Sequence, residues 1–379
     1  MRSSYKKIGS FVKQVNIRNK DLSVTNLQGI NINKFFMPSV ANTNGTDLSK
    51  YKVVSQKQFA LNPMHVGRDE VLPISMLEEE DSVIVSPAYV VFKVKAETQL
   101  LPEYLMMWCR RPEFDRNAWF TTDSSVRGGF SWKDFCDLTL PVPSIEKQRE
   151  IVREYHTIVD RIKLNEQLNQ KLEETAHALF RKYFIDDEDS EHEEVDIYIE
   201  YNPKHTIKKG EIVSYVEMAD LQETSLSIKN VIQRAFTAGS KFKNEDTLLA
   251  RITPCLENGK TAFVNCLSDK EIAYGSTEFI VMRAKHGVSP YWVYCLAKDE
   301  NFRSYAISSM VGSSGRQRVH SDYLKLFTVP KITEDQMVDF HDKASVLFNK
   351  VKQVSEETKL LLTFLDVLLS KMTKAEATI

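Results

Sequence analysis

The 379-residue sequence is poor in glycine, proline and cysteine. Its 13 glycines form no glycine-rich loop of the kind that binds nucleotide phosphates or dinucleotide cofactors. The segment Gly259-Lys260-Thr261 resembles the end of a phosphate-binding loop, but Pro254 stands where that motif requires glycine. The five cysteines form no CxxC pair, so the sequence predicts buried, reduced thiols rather than a disulfide framework.

Long apolar runs and a signal sequence are also missing. The most apolar segment, 360–369, is short and contains Asp366, whereas a membrane-spanning helix needs about 20 apolar residues. The basic start Met1–Lys7 is not followed by the apolar core of a secretory signal. These absences predict a cytoplasmic protein that makes no membrane contact.

The charges are unevenly distributed along the chain. Lys and Arg number 50 and Asp and Glu 52, which gives a net charge of −2. The segment 186–196 alone contains eight acidic residues and no Lys or Arg. Residues 1–143 carry 18 basic against 15 acidic groups, and residues 197–331 carry 18 against 14. We therefore predict two mildly basic globular parts joined by an acidic linker, a distribution compatible with DNA binding.

The sequence repeats itself once. Ser86–Lys95 matches Ser276–Lys285 at an offset of 190 residues, and 124–127 matches 313–316 at an offset of 189. Several matches at nearly one offset predict a tandem duplication. The first parts of the two copies match each other poorly, as expected when each copy binds a different target.

Each copy ends in a long heptad pattern. Apolar residues recur every seven positions without glycine or proline, which is typical of a coiled-coil seam. Two polar seam residues, Asn165 and Asn169, are interpreted as register-setting positions. The predicted seams are Ile151, Ile158, Asn165, Leu172, Leu179 with Tyr155, Ile162, Asn169, Ala176, Tyr183, and Phe340, Leu347, Val354, Leu361, Leu368 with Ala344, Val351, Thr358, Leu365, Met372.

These patterns predict an α+β fold in which two tandem-duplicated domains are separated by two long antiparallel coiled-coil helices in a pseudo-twofold arrangement. Short strands such as 82–85 and 278–282 alternate with one short helix in each copy, over 102–118 and 290–306. A helix of about 40 residues spans about 60 Å, so the helices would set a fixed distance between the domains. The predicted boundaries are 1–143 (domain 1), 144–185 (central helix), 186–196 (acidic linker), 197–331 (domain 2) and 332–379 (C-terminal helix).

The sequence shows no arrangement of residues typical of catalysis. Its eight histidines are scattered, without the spacing of a metal site. The segments 62–65 and 202–205 resemble the Asn-Pro-Pro-aromatic box of amino-methyltransferases, but both lack the second proline and the aromatic residue. We predict a non-catalytic binding protein that holds no metal and no cofactor. A coiled-coil adaptor that binds proteins without binding DNA, and an enzyme with degenerate motifs, are the alternatives.

Several motifs are shared with one known family. They are Leu140–Val152 and Leu179–Phe184 at the central helix, Leu248–Lys260, Tyr274–Phe279 and Gly312–Arg318 in the second copy, and Asn62–Met64 and Val85–Tyr89 in the first. With these motifs the chain resembles, over essentially its whole length, the specificity (S) subunit of type I restriction-modification systems. It departs from the family pattern where the second long helix starts one residue longer, and in the first copy, which lacks the Arg-Ile-Thr-Pro string.

The resemblance implies a non-catalytic subunit with two target-recognition domains. Each domain would read one half of a bipartite, asymmetric site in double-stranded DNA, while the helices set the spacer. The implied partners are two methyltransferase (M) subunits and, in the full complex, motor-nuclease (R) subunits. S-adenosylmethionine, ATP and magnesium would belong to those partners.

Candidate DNA contacts follow from loop chemistry. Loops rich in Ser, Gly and Arg bring N–H and guanidinium groups to phosphates, while Arg, Lys, Asn and Gln read base edges. For the repeated Ser-Ser-x-Arg loops, a structural turn with a paired arginine is the alternative. The candidates are Asn62, His65, Arg68, Ser124, Ser125 and Arg127 in the first copy, and Arg251, Asn258, Lys260, Ser313, Ser314, Arg316, Gln317 and Arg318 in the second.

Overall fold

The structure, a computed structural model, describes residues 5–39, 45–64, 66–121, 130–185, 191–313 and 315–372. Its contacts divide the chain into two units. Unit 1 comprises residues 1–160 together with 361–379, and unit 2 comprises residues 161–360. Each unit therefore contains part of both long helices.

Unit 1 combines short strands with short helices. Its strands are β1 (Tyr5–Lys7), β2 (Val12–Val15), β3 (Gln28–Ile30), β4 (Phe36–Pro38), β5 (Lys52–Val54), β6 (Phe59–Leu61), β7 (Ile74–Met76), β8 (Val83–Val85), β9 (Val90–Val94) and β10 (Thr139–Pro141). Its short helices are α1 (Val66–Asp69), α2 (Pro102–Cys109), α3 (Pro112–Phe120) and α4 (Trp132–Asp137). Strands β2, β9, β6 and β7 form an antiparallel sheet in that order, with further pairs β1–β10, β3–β4 and β5–β8. Phe59 and Phe92 stack in its core, with 4.8 Å between ring centres.

The two long helices are α5 (Ile145–Phe184) and α9 (Glu334–Lys371). The strands and short helices of unit 2 lie in the sequence between the end of α5 and the start of α9. Its strands are β11 (His192–Glu194), β12 (Ile199–Tyr201), β13 (Ile212–Val216), β14 (Ile232–Ala235), β15 (Ser240–Phe242), β16 (Thr247–Ala250), β17 (Thr261–Phe263), β18 (Ala273–Gly275), β19 (Phe279–Ala284) and β20 (Thr328–Pro330). Its short helices are α6 (Pro290–Lys298), α7 (Glu300–Ser308) and α8 (Ser321–Leu324).

One sheet has the same strand order in both units. The order β12-β19-β16-β17 in unit 2 corresponds to β2-β9-β6-β7 in unit 1, and the pairs are antiparallel in both. In the register, Leu61 lies opposite Val90 as Leu249 lies opposite Ile280. Unit 2 also contains the sheet β14-β13-β18-β15 with a parallel pair β13–β18. The mixed helix and sheet composition predicted from the sequence is confirmed.

The prediction of one short helix over 102–118 and over 290–306 was wrong, because two helices occupy each segment. In unit 1 the break comes before Pro112, which has no N–H to extend α2 but suits the first turn of α3. In unit 2 the Asp299 side chain accepts hydrogen bonds from the N–H groups of Asn301 and Phe302 and so starts α7.

The predicted long helices are present and pack together. In unit 2 the contacts Arg161–Glu357, Asn169–Ser355 and Tyr183–Asp339 run in opposite directions along the two helices, which are therefore antiparallel there. In unit 1, Ile151 and Tyr155 of α5 share one apolar cluster with Leu365 and Leu368 of α9 and with Met372, which directly follows α9. Every residue of the predicted seams is buried or half-buried.

Polar residues lie in the middle of this seam. Nδ2 of Asn165 donates to Oγ1 of Thr358 at 3.2 Å, and Nδ2 of Asn169 donates to Oγ of Ser355 at 3.1 Å. The Ser355 hydroxyl is in turn 2.9 Å from the Ser227 hydroxyl. Such pairs form in one register only, as expected for register-setting positions.

The predicted acidic linker 186–196 does not hold over its whole length. Residues 186–190 lie outside the described part of the chain. His192–Glu194, however, pair as β11 with β20, and Val195 is buried. Acidic side chains are compatible with this strand because its backbone pairs with β20, while Glu194 stays exposed.

The cysteines are free, as predicted, but only part of them is buried. Cys109 and Cys295 are buried, Cys136 and Cys255 are half-buried, and Cys266 is exposed. Apolar neighbours in sequence do not decide which way a side chain points once the chain folds. In the described ranges, no helix is both long and apolar enough to cross a membrane.

Candidate nucleic-acid interface

The candidate site of unit 2 lies where β16 ends. The loop 251–260 leaves β16 and leads back to β17. The N–H of Thr253 donates to the carbonyl of Gln317 at 3.1 Å, and the N–H of Val319 donates to the carbonyl of Arg251 at 3.0 Å. Arg251 and Gln317–Arg318 are therefore neighbours in the fold, although they are more than 60 residues apart in the chain.

Glu278 binds both arginines of this junction. Because Ala250 lies opposite Phe279 in the β16–β19 pair, the residues beyond them, Arg251 and Glu278, also face each other. Nε of Arg251 donates to Glu278 at 3.1 Å. Arg318 donates to the same carboxylate through Nε at 2.9 and 3.0 Å and through Nη2 at 2.8 Å. The hydrogen bonds from Arg318, with a smaller effect of Arg251, hold the pKa of Glu278 below its usual value.

These three side chains are partly open to solvent. Arg251 is 30% exposed, Arg318 37% and Glu278 21%. Water screens ion pairs at such positions, so their contribution to folding stability is small. Their main effect is on orientation, because a carboxylate that accepts two parallel N–H groups holds the guanidinium in one plane.

The loop that precedes Arg318 is exposed at residues 311–313, 315 and 316. Val311 and Arg318 pair across its base, and the turn uses positive φ angles of +128° at Gly312 and +79° at Gly315, which favour glycine. The carbonyl of Ser313 accepts a hydrogen bond from the N–H of Arg316 at 3.0 Å. The Arg316 side chain is exposed and has no partner among the described residues, to which Ser314 does not belong. Among the residues that the structure describes, no carboxylate compensates the positive charge of Arg316.

Asn258 and Lys260 contact a different part of unit 2. Nζ of Lys260 donates to the carbonyl of Met218 at 3.2 Å, and Nδ2 of Asn258 donates to Oε1 of Glu223 at 3.2 Å. Between them, Gly259 has a φ of +75°, and a Cβ there would lie 3.0 Å from the Arg303 guanidinium. The second-unit candidates therefore fall into two groups, one around Glu278 and one on the 218–223 turn.

Of the first-unit candidates, Asn62 is the one whose side chain is described. Its Nδ2 donates to the Tyr89 hydroxyl at 3.4 Å, and its Oδ1 accepts from the N–H of Met64 at 3.1 Å. This amide closes a turn after β6. His65, Ser124, Ser125 and Arg127 lie outside the described residues, and of Arg68 only the backbone in α1 is described.

The two units share a backbone contact at this place but differ in side chains. The N–H of Phe130 donates to the carbonyl of Pro63 at 3.1 Å, as Val319 does to Arg251 in unit 2. Around this contact, unit 1 has the neutral pair Asn62–Tyr89. Unit 2 has two cations and one carboxylate.

Sequence reasoning missed Glu278 as a partner of the arginines, although it lies in the motif Tyr274–Phe279. The three residues are separated by long stretches of chain, and the β16–β19 register brings them together. An alternating apolar pattern indicates each strand but not which residue of another strand lies opposite. Pairing the strand that ends at residue 250 with the strand that begins at residue 279 is the signal that could have pointed to residue 278.

The arrangement is suited to binding. Arg251, Arg316 and Arg318 present N–H donors of the type that bind phosphate oxygens and guanine edges. Within the described ranges, no group of three His, Cys, Asp or Glu residues is placed to hold a metal ion.

The chain is similar in sequence to two curated proteins. No model of a protein family matches the chain. The type I restriction enzyme HindI specificity subunit of Haemophilus influenzae is 26% identical over 158 residues, which are 41% of this chain and 33% of that protein. The type I restriction enzyme EcoAI specificity subunit of Escherichia coli is 33% identical over 90 residues, which are 24% of this chain and 15% of that protein.

A solved structure matches nearly the whole chain. It is the crystal structure of the type I restriction-modification system S subunit from M. genitalium, with a TM-score of 0.58 and 11% sequence identity over 97% of this chain and 95% of that one. The chain has the fold of a type I S subunit. The resemblance predicted from the sequence is confirmed. This chain nevertheless spans 33% or less of the length of the two curated S subunits in their alignments.

Proposed function

We propose that the chain is the DNA sequence-recognition subunit of a type I restriction-modification complex, in which each target-recognition domain reads one half of a bipartite, asymmetric site. The observation that carries the proposal is the pair of guanidinium groups, Arg251 and Arg318, held by Glu278 beside the exposed Arg316. The likeness of this chain to proteins named specificity subunits supports the same function.

The arginines of this junction suit two kinds of DNA contact. An exposed side chain without a described partner, Arg316, suits a phosphate, which adds affinity regardless of sequence. Side chains held in one orientation, Arg251 and Arg318, suit base edges, where direction decides the discrimination. Gln317 and Ser313 lie in the same loop, while Asn258 and Lys260 position the 251–260 loop from its other end. The first-unit candidates remain part of the proposal.

The domain plan predicted from the sequence belongs to this proposal. Segments 1–143 and 197–331 would be the recognition domains, derived by tandem duplication and related by a pseudo-twofold axis, and the long helices would set the spacer. The common sheet order, the common register and the equivalent contacts Phe130–Pro63 and Val319–Arg251 support a common origin.

Apolar side chains on the long helices support partner docking. In unit 2, Leu164 and Leu168, one helical turn apart, are 57% and 39% exposed. In unit 1, Phe364 and Val367, also about one turn apart, are 59% and 44% exposed. Neighbouring exposed apolar groups are typical of interaction sites. We propose that two M subunits dock on these helices and that R subunits join the full complex. In this proposal the partners hold S-adenosylmethionine, ATP and magnesium. This chain itself is non-catalytic and acts in the cytoplasm.

The test compares two arginines of one loop. The full chain is purified in complex with its M subunits, and duplex binding is measured across a range of salt concentrations for the wild type, Arg316→Ala and Arg318→Ala. The control is Arg116→Ala, which removes an exposed arginine paired with Glu113 within α3.

Arg316→Ala is expected to weaken binding to all duplexes alike and to reduce the slope of log affinity against log salt by about one. Arg318→Ala is expected to reduce discrimination at one base pair by about 1–3 kcal/mol. The control is expected to bind as the wild type does. A complex without salt-dependent DNA binding would contradict the proposal and favour the adaptor function.

A further inference from the structure

Arg318 retains free donor groups after its contacts with Glu278. A guanidinium carries five N–H groups in one plane. Nε and one N–H of Nη2 donate to Glu278, and one N–H of Nη1 donates to the Arg316 carbonyl at 3.3 Å. One N–H on each terminal nitrogen is left without a partner among the described residues, in a side chain that is 37% exposed.

The two terminal nitrogens, Nη1 and Nη2, are donors at a fixed spacing at the end of the guanidinium. Because the guanidinium is planar and rigid, a carboxylate that holds one edge also fixes the direction of the neighbouring edge. Guanine presents two acceptors, O6 and N7, on its major-groove edge, and arginine binds both at once. Nη1 and Nη2 of Arg318 match this pair of acceptors in spacing.

Glu278 also balances the charges at the junction. Its carboxylate binds Arg251 at 3.1 Å and Arg318 at 2.8 Å, so two like charges can share one corner of the domain. One negative charge against two positive ones leaves a positive surplus, which attracts DNA. The turn that carries Glu278 is itself held by a hydrogen bond from the Glu278 N–H to the Ser276 hydroxyl at 3.1 Å.

We propose that Glu278 is a positioning residue that orients Arg318 to read one guanine in the half-site bound by unit 2. The inference rests on the DNA-recognition function proposed above. Arg251 completes the arrangement by binding the second oxygen of the carboxylate. Glu278 acts through Arg318 and makes no DNA contact of its own.

The first copy of the repeat lacks this carboxylate. In the match of Ser86–Lys95 with Ser276–Lys285, Ala88 takes the place of Glu278. The strand end after β6 carries Asn62 and Pro63 instead of an arginine. A change at Glu278 is therefore expected to affect one half-site only, and the other half-site reports whether the complex is intact.

The experiment selects bound duplexes from a random pool with the full chain in its M-subunit complex. The variants are Glu278→Gln, which removes the charge, and Arg318→Lys, which keeps a charge but cannot present two parallel N–H groups. The matched control is Glu97→Gln, because the Glu97 carboxylate also binds a cation, Lys57, at 2.8 Å, but outside the junction and outside the long helices. Affinities are then measured for the selected site with each single base pair changed.

The wild type is expected to prefer guanine at one position of one half-site by about 5–150-fold, the range of a bidentate arginine contact. Both variants are expected to reduce this preference to a few-fold, while the other half-site and the control remain unchanged. Retention of the guanine preference by Glu278→Gln would overturn the inference. If Glu278→Gln loses both half-sites by misfolding, Arg318→Lys decides the question, since an unchanged preference in that variant overturns the inference as well. A wild-type complex that selects no sequence would instead refute the proposed function.

Discussion

The two units attach their dissimilar N-terminal segments through buried charges of opposite sign. In unit 1, Lys34 in the turn between β3 and β4 is 4% exposed and binds Asp115 of α3 at 2.7 Å and the carbonyl of Cys109. In unit 2, Glu173 of α5 is 7% exposed and accepts the N–H of Leu226 at 2.9 and 3.0 Å and the Tyr294 hydroxyl at 3.3 Å. We call these contacts the unit 1 anchor and the unit 2 anchor.

The two anchors differ in which segment carries the charged side chain, the loop or the element on which the loop packs. In unit 1 the charge comes from the loop itself, so the unit 1 anchor depends on the identity of residue 34. In unit 2 the long helix supplies the charge and the loop contributes a backbone N–H, which every residue except proline has. The unit 2 anchor therefore tolerates changes of loop sequence that the unit 1 anchor does not.

The largest expected effect comes from breaking the unit 1 anchor. Burial lowers the pKa of Lys34 and raises that of Asp115, while their ion pair opposes both shifts. Lys34→Ala leaves the Asp115 carboxylate without its cation in an apolar site, so we expect a loss of about 3–5 kcal/mol in unfolding free energy. Thermal or urea unfolding measures this loss. Lys57→Ala, which removes the exposed partner of Glu97, serves as the control and should change little. Equal stability of both variants would refute a structural role of Lys34.

A smaller loss is expected from the unit 2 anchor. Glu173→Ala leaves the Leu226 N–H and the Tyr294 hydroxyl without their acceptor, which costs about 1–3 kcal/mol. Glu173→Gln keeps one acceptor oxygen and should lose less. The neighbouring exposed residue provides the control, since Glu174→Ala removes a carboxylate of the same helix without burial. If Glu173→Ala unfolds at the same urea concentration as Glu174→Ala, the unit 2 anchor does not stabilise the fold.

The smallest effect at neutral pH concerns His177, one turn along α5 from Glu173. Burial, and to a lesser extent Lys298, lowers the pKa of His177 from 6.5 to about 4. Between these values the unfolded chain binds a proton that the folded chain does not, so this residue reduces stability as the pH falls from about 6.5 to 4. Burial raises the pKa of Glu173, which acts in the opposite direction because the folded state then favours the protonated carboxyl.

His177→Gln is therefore expected to have the same melting temperature as the wild type near pH 8. As the pH falls toward 4, the variant should melt at a higher temperature than the wild type. Melting temperatures measured from pH 8 to pH 4 test this. His156→Gln, on the part of α5 that belongs to unit 1, is the control. A constant difference between wild type and His177→Gln over the whole range would show that the proton linkage is absent.

The long helices show what local pattern can predict. Seam residues such as Phe340 and Val354 were identified from seven-residue spacing, which requires no knowledge of the partner helix. Asn165 and Asn169 were recognised as register-setting, but their partners Thr358 and Ser355 follow from the antiparallel packing. The prediction of a linker was wrong for 192–194, because the acidic composition suits a linker whereas the backbone of this segment pairs with β20.

The candidate site shows where sequence reasoning stops. Arg251, Arg316 and Arg318 were all predicted as DNA contacts from their loop chemistry. Nothing in the chain order indicates that Arg251 and Arg318 share one carboxylate whereas Arg316 has no described partner. That distinction separates a residue suited to base edges from one suited to phosphate.

The sequence by itself predicted the two heptad helices, the family resemblance and the loops that carry arginine. These properties depend on residue type and on spacing along the chain, which are local. Only the tertiary structure decided that Glu278 holds two arginines, that Lys34 and Glu173 are buried, and that the 192–194 segment is a strand. Each of these depends on strand register or helix packing, which joins residues far apart in the chain, and a single strand or helix does not encode its partner.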